Sequence, residues 1–110
     1  MVRFLVIRHG ETEWNSKGRI QGQLESPLNE RGCEQAAALA LALADEPIHE
    51  LWSSDLDRAR DTAVHLAELS SQRVRIDTRL RERHFGVFQG LTFAQAKERH
   101  PEYYEMYMSD

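Results

Sequence analysis

The chain has 110 residues, 41% hydrophobic and 29% charged, a composition that suits one folded domain and excludes a disordered segment. Its formal charge of −4 argues against nonspecific nucleic-acid binding, which needs an electropositive footprint, but leaves room for a small anion held by a few local arginines. The single cysteine, Cys33, allows neither an intrachain disulfide nor a thiolate metal cage; it reads as a small half-buried filler and fits a reducing cytoplasm.

Phe4-Leu5-Val6-Ile7 is short, continuous and bulky, and predicts a strand buried on both faces of a parallel sheet. The run is too short before Arg8 for the apolar core of a signal peptide, and no window approaches a membrane span. From Gly10 to Pro27 the sequence turns polar, with Gly18, Gly22 and Pro27 as breakers; long loops of this kind are usually functional. Asn29 predicts an N-cap for a helix from Glu30 to about Ala44, where Ala36 and Ala40 lie beside Leu39 and Leu43 and suit close packing against a sheet. Asp45-Glu46-Pro47 ends it. Leu51-Trp52-Ser53 predicts a second strand. A helix follows from Leu56 to Leu69, capped by Ser54 or Asp55, with Ala59, Ala63, Leu66 and Ala67 on one face. Val74 and Ile76 alternate with arginines and predict a third strand. Thr92 predicts the cap of a helix to about His100; Pro101 interrupts it, and Glu102 to Met108 forms a last short helix. The order β-α-β-α-β-loop-α implies an α/β protein with a parallel sheet and helices on its faces.

The chemistry is concentrated in Arg8-His9-Gly10-Glu11, where the first strand meets a loop, the place at which open α/β sheets collect ligands. His9 is a candidate nucleophile toward a phosphate monoester, forming a covalent intermediate that water hydrolyses. Such chemistry needs cations around the phosphoryl oxygens. Arg8 is adjacent, and Arg58 follows the second strand in Ser53-Ser54-Asp55-Leu56-Asp57-Arg58-Ala59. Gly10 admits a close backbone approach, and Asn15 offers an uncharged donor. In Arg81-Glu82-Arg83-His84-Phe85-Gly86, an extended backbone puts Leu80, Glu82 and His84 on one face, and the Glu82 carboxyl is a candidate proton donor. Its neighbouring arginines favour ionisation; burial or bound phosphate favours the acid form.

Taken in order, Arg8-His9-Gly10-Glu11-Thr12, Ser53 to Ala59, and Glu82 to Gly86 with Gln89-Gly90-Leu91 resemble the N-terminal portion of the histidine phosphatase superfamily, the group of cofactor-dependent phosphoglycerate mutases and broad-specificity phosphatases. Pro27 to Gly32 resembles the entry to that family's first helix, and Arg19 to Gln23 looks more like its phosphatase branch. The resemblance implies a three-layer α/β/α fold with a mostly parallel sheet, of which residues 1–110 make a partial domain, roughly the N-terminal half. It implies a phosphomonoesterase acting on a small phosphorylated metabolite, with His9 phosphorylated, Arg8 and Arg58 binding the phosphoryl group, Asn15 near the substrate and Glu82 as proton donor. It implies no metal and no cofactor. Members of the family carry a second catalytic histidine on a later strand; His49, His65, His84 and His100 lack its context.

Each of these residues has a plainer reading. Arg58 could pair with Asp57 or Asp61 on a helix surface, Asn15 could brace the loop, and Glu82 could be a solvated ion-pair partner. Arg81 and Arg83 read as surface charge, His84, Trp14 and Trp52 as packing residues. Two rival functions stand beside the phosphatase: a phosphoglycerate mutase, which returns the phosphoryl group to a sugar acid, and a non-catalytic phosphate-binding module. An open sheet edge further predicts self-association, as a homodimer or by exchange of an element.

Overall fold

The computed structural model describes residues 2–108. Its elements in chain order are α1 (Glu13–Ser16), α2 (Glu30–Ala42), β1 (Leu51–Ser53), α3 (Asp57–Ser70), β2 (Val74–Ile76), α4 (Phe93–Arg99) and α5 (Pro101–Met108), with 3-10 turns at Thr78–Leu80 and Gly86–Phe88. β1 and β2 pair in parallel, Leu51 opposite Val74 and Ser53 opposite Ile76, and α3 crosses between them and packs on both. The chain is thus an α/β protein with a parallel sheet, as its sequence predicts.

The run Phe4 to Ile7 departs from expectation: it joins no sheet. Its exposure alternates as in an extended chain, with Phe4 83% and Val6 94% exposed against 46% for Leu5 and 37% for Ile7. This period-two alternation shows one face leaning on the body of the molecule and the other uncovered. A strand needs a neighbour to satisfy its backbone, and within the described residues the sheet stops at β1 and β2. The run is held near its start by an ion pair between Arg3 and Glu46 and at its end by Gly10.

The caps of α2 and α4 are those the sequence predicts and that of α3 is an exception; α1 forms in a stretch read as loop, and Pro101 opens α5 rather than preceding it. Asn29 caps α2 by accepting from the Gly32 amide at 2.8 Å, and Thr92 caps α4 in a reciprocal box with Gln95. A similar box between Thr12 and Asn15 starts α1, a turn of helix inside the long polar loop. The exception is α3. Neither Ser54 nor Asp55 caps it; its N-cap position is Leu56, which has no side-chain acceptor. Glu25, from the distant loop, supplies one instead, its two carboxylate oxygens each 3.2 Å from the Asp57 amide nitrogen. A carboxylate suits the positive end of a helix.

α2 packs on α3 rather than on the sheet, burying Gly32, Ala36 and Ala40. Cys33 lies a further 100° round α2 and is exposed, not half-buried. Trp52 is also largely exposed, with the Arg75 guanidinium 5.8 Å from its ring centre. A second core gathers Ile20, Phe88 and Ala96, backed by Phe85, Leu91 and Tyr104. The polar loop closes on it through two backbone bonds of 2.8 Å, Ile20 to Leu91 and Gly90 to Ile20.

The tightest packing is backbone on backbone. A Cβ on Gly10 would lie 2.5 Å from the Gly32 carbonyl oxygen, and a Cβ on Gly32 would collide with the carbonyl oxygen of Glu11. Alanine would gain about 1 kcal/mol of helix propensity at position 32, but the collision is with backbone, which cannot rotate away, and overpacking of this kind costs about 1–3 kcal/mol. Gly32→Ala is therefore expected to lower the urea midpoint despite the better helix former; an unchanged or raised midpoint would show that the two segments separate at little cost.

Candidate active site

His9 sits at the junction of the extended run and the α1 loop, half-buried. Its Nδ1 lies 2.6 Å from the carbonyl oxygen of Gly10. A carbonyl only accepts, so Nδ1 carries the proton and Nε2 presents a lone pair. Burial lowers the His9 pKa below the usual 6.5; the Gly10 carbonyl opposes this, the Arg58 and Arg8 charges add to it, and Glu82 opposes it. The imidazole is accordingly neutral and nucleophilic at neutral pH. Because its folded pKa lies below the unfolded one, the stability tied to neutral His9 is complete above 6.5 and is lost as pH falls through the lower folded value.

The turn is fixed from two directions. The Gly10 amide donates to the Thr62 hydroxyl at 3.0 Å, and that hydroxyl donates to the Arg58 carbonyl at 2.7 Å. On the other side, the Glu11 amide donates to Gln35 Oε1 at 2.9 Å, and the Glu11 carboxylate accepts from Asn29 Nδ2 at 2.9 Å. His9 is thereby tied to α3 one turn beyond Arg58 and to the first turns of α2.

Arg58 is not the surface ion-pair partner of Asp57; Arg60 has that role. Its side chain is buried, 1% exposed, and its guanidinium donates to the carbonyl oxygens of Leu24, at 2.7 Å, and of Gly22. Burial lowers its pKa, and the Glu25 and Glu82 carboxylates act in the opposite direction. Two of its five N–H groups serve these bonds, leaving the rest of the fork for another acceptor. Arg8 is exposed beside His9.

Glu82 lies in an irregular, exposed segment after the first 3-10 turn, its Oε1 accepting from the Arg83 amide at 2.7 Å. That segment is anchored by Arg81, which forms a two-pronged pair with Asp55 at 2.7 and 2.5 Å, and by Arg83, whose guanidinium stands 5.1 Å from the Phe85 ring and 5.5 Å from that of Tyr107. Both arginines are exposed, as the sequence reading has them, and their charges tie this segment to Asp55 and to the Phe85 and Tyr107 rings. His84 is exposed and accepts from the Gly86 amide, away from a packing role. Asn15 braces the loop: its Oδ1 accepts from the Thr12 amide and its backbone amide donates to the Thr12 hydroxyl, each at 3.1 Å, with the side-chain Nδ2 outside that box.

The structure thus brings Arg8, Arg58 and Glu82 close enough to His9 to act on its charge. A hollow of about 200 Å³ borders the turn, lined by Arg8, His9, Gly10, Gln35, Ala36, Leu39 and Thr62; Arg58 and Glu82 are not on its wall. Among the described residues no group of three or more His, Cys, Asp or Glu is placed to hold a metal ion. No described helix is long and apolar enough to cross a membrane. Thr62 escapes a sequence reading, although its position four residues after Arg58, on the same helix face, is a usable signal.

Residues 4–110 match the family profile of the histidine phosphatase superfamily, branch 1, and the chain belongs to that superfamily. It is 52% identical over 90 residues to a glucosyl-3-phosphoglycerate phosphatase of Mycolicibacterium vanbaalenii, covering 82% of this chain and 40% of that protein. It is 45% identical over 112 residues to a metal-independent phosphoserine phosphatase of Arabidopsis thaliana, covering 99% and 47%. Among solved structures, a mycobacterial glucosyl-3-phosphoglycerate phosphatase in complex with VO3 superposes with a TM-score of 0.82 at 49% identity, over 84% of this chain and 44% of that one. Bacillus stearothermophilus YhfR superposes with a TM-score of 0.84 at 33% identity, over 91% of this chain and 50% of that one. The chain spans about half the length of the curated relatives it matches.

Thr62→Val keeps the shape but strands the Gly10 amide in a buried setting, at a cost of about 1–3 kcal/mol in chemical denaturation. In the same protein, an NMR titration of His9 is expected to show the Nδ1-protonated tautomer at neutral pH and a midpoint below 6.5. A midpoint at or above that value would contradict the burial-dominated reading.

Proposed function

We propose that this chain carries the nucleophile, the phosphate-binding arginines and the proton donor of a phosphomonoesterase that works through a phosphohistidine. The observation that carries the reading is the Nδ1–H bond to the Gly10 carbonyl, which leaves the Nε2 lone pair available beside two guanidinium groups. Nε2 attacks phosphorus, the ester P–O bond breaks, and the departing oxygen takes a proton from Glu82. Water then attacks phosphorus, the P–N bond breaks with its electrons returning to the imidazole, and Glu82 recovers a proton from that water. Arg8 and the free part of the Arg58 fork hold the phosphoryl oxygens while charge moves between them. The amide nitrogen of Asn15 is the substrate-side donor. A bound phosphate dianion favours the protonated form of Glu82, as the first step requires.

The substrate is a small phosphorylated metabolite, in keeping with the phosphatases that the chain resembles, which are named for glucosyl-3-phosphoglycerate and phosphoserine. A mutase reading also has support: a probable phosphoglycerate mutase of Photorhabdus laumondii is 43% identical over 89 residues. The two separate on the fate of the phosphoryl group, released as inorganic phosphate by one and kept on a phosphoglycerate by the other. A binding module without turnover would do neither.

In the intact protein, mixing with phenyl phosphate is expected to give an acid-labile phosphohistidine that His9→Ala abolishes. Glu82→Gln is expected to lower kcat/KM about 10²–10⁴-fold on phenyl phosphate and little on 2,4-dinitrophenyl phosphate, whose leaving group needs no proton. Equal losses on the two esters would remove Glu82 from the acid role.

The uncovered Phe4 to Ile7 run supports the expected self-association of the isolated chain, since an unpaired extended segment with exposed apolar side chains invites pairing. Light scattering is expected to show a dimer or larger species; a monodisperse monomer would contradict it.

A further inference from the structure

Gln89 stands where the two halves of the site meet. Its Oε1 accepts from the Gln23 amide at 2.9 Å and from the Phe85 amide at 3.3 Å, so both lone pairs of one carbonyl oxygen are used. The same oxygen rests on Gly22, where a Cβ would collide with it and where the backbone has φ +55. The carbonyl of Gly22 is one of the two that receive the Arg58 guanidinium. Next in the chain, Gln23 Nε2 donates to the Glu82 carbonyl at 3.2 Å. The short stretch 22–24 therefore holds Arg58 through its carbonyl oxygens. Through Gln23 and Gln89 it also holds the segment that carries Glu82.

We propose that Gln89 is a positioning residue that fixes the Glu82 carboxyl relative to the phosphoryl group gripped by Arg58. It touches neither substrate nor reacting atoms and acts only on protonation of the leaving group. The proposal rests on the phosphohistidine reading above. Its physical basis is that Glu82 lies in an irregular, exposed segment, which has no helix or strand to fix it. Backbone amides 23 and 85 come from loops far apart in sequence, and one carboxamide oxygen joins them. Leucine at position 89 has a similar size but offers no acceptor, so both amides lose their partner; the 22–24 stretch stays bound to Arg58, and the Glu82 segment, still paired through Arg81, shifts against it. A displacement of about 1 Å at a reacting group can cost about 100-fold in rate.

The test uses the intact protein and the two aryl esters. Gln89→Leu is expected to lower kcat/KM about 10- to 100-fold on phenyl phosphate and to leave 2,4-dinitrophenyl phosphate nearly unchanged. In a Glu82→Gln background it is expected to add no further loss on phenyl phosphate, because the group it positions is gone. Gln89→Glu, which keeps an acceptor oxygen, restores the rate. Equal losses on both esters, no loss on either, or additive losses in the double variant would overturn the proposal. If circular dichroism shows Gln89→Leu unfolded, Gln23→Met removes the donor to the Glu82 carbonyl and is read by the same criteria. Absence of phosphohistidine in the wild type, or a Glu82→Gln variant blind to the leaving group, would defeat the underlying reading and this proposal with it. Failure of the Gln89 pattern with both of those intact defeats the positioning role alone.

Discussion

The site depends first on contact between two glycines. The backbone after His9 passes against the first turn of α2 so closely that neither Gly10 nor Gly32 has room for a methyl group. This contact sets the height of the Gly10 carbonyl, and that carbonyl fixes which imidazole nitrogen keeps its proton. Thr62 then sets the lateral position by accepting from the Gly10 amide and donating to the Arg58 carbonyl. The imidazole is thus aimed by backbone groups and the Thr62 hydroxyl, with Gln35 and the Glu11 carboxylate steadying the turn from the other side.

Arg58 poses the opposite problem, a cation with 1% of its surface exposed. Removing a charged group from water costs several kcal/mol even after relaxation. Two carbonyl dipoles and the fields of Glu25 and Glu82 offset part of that cost. The pKa of Arg58 still falls, because burial outweighs the Glu25 and Glu82 charges. Glu25 serves twice, stabilising this cation and capping α3 immediately before it. The loop from Gly22 to Glu25 is therefore folded around the arginine. Loss of either one would disturb the other.

What the sequence discloses follows from the range of the interaction involved. The caps at Asn29 and Thr92 act over three residues and are legible, as are β1 and β2, whose edges are marked by Ser, Asp and Gln. The cap of α3 was not, because its acceptor comes from 32 residues away. Gly32 reads locally as a mild helix defect, and only the neighbouring backbone shows why no side chain fits. Arg58 is legible as a cation near the site but not as a buried one bound to carbonyls. Motif order brought His9, Arg8, Arg58 and Glu82 to notice. Of the groups that hold them, Gln89 stands in a motif but shows no role there, Thr62 is marked only by its spacing from Arg58, and Glu25 has no pattern of its own.

The run before His9 shows how little the turn that carries this imidazole owes to a sheet. Phe4 and Val6 expose most of their surface, and the run forms no ladder with β1 or β2. Burying such side chains is worth about 1.5–3 kcal/mol each, so covering the run would add substantially to stability. Yet the contacts that orient His9 begin at Gly10, on its C-terminal side, and end on α2 and α3. Covering the apolar run and aiming the imidazole are therefore separable tasks. The first depends on whatever apolar surface meets Phe4 and Val6; the second is completed by residues 10–62 of this chain.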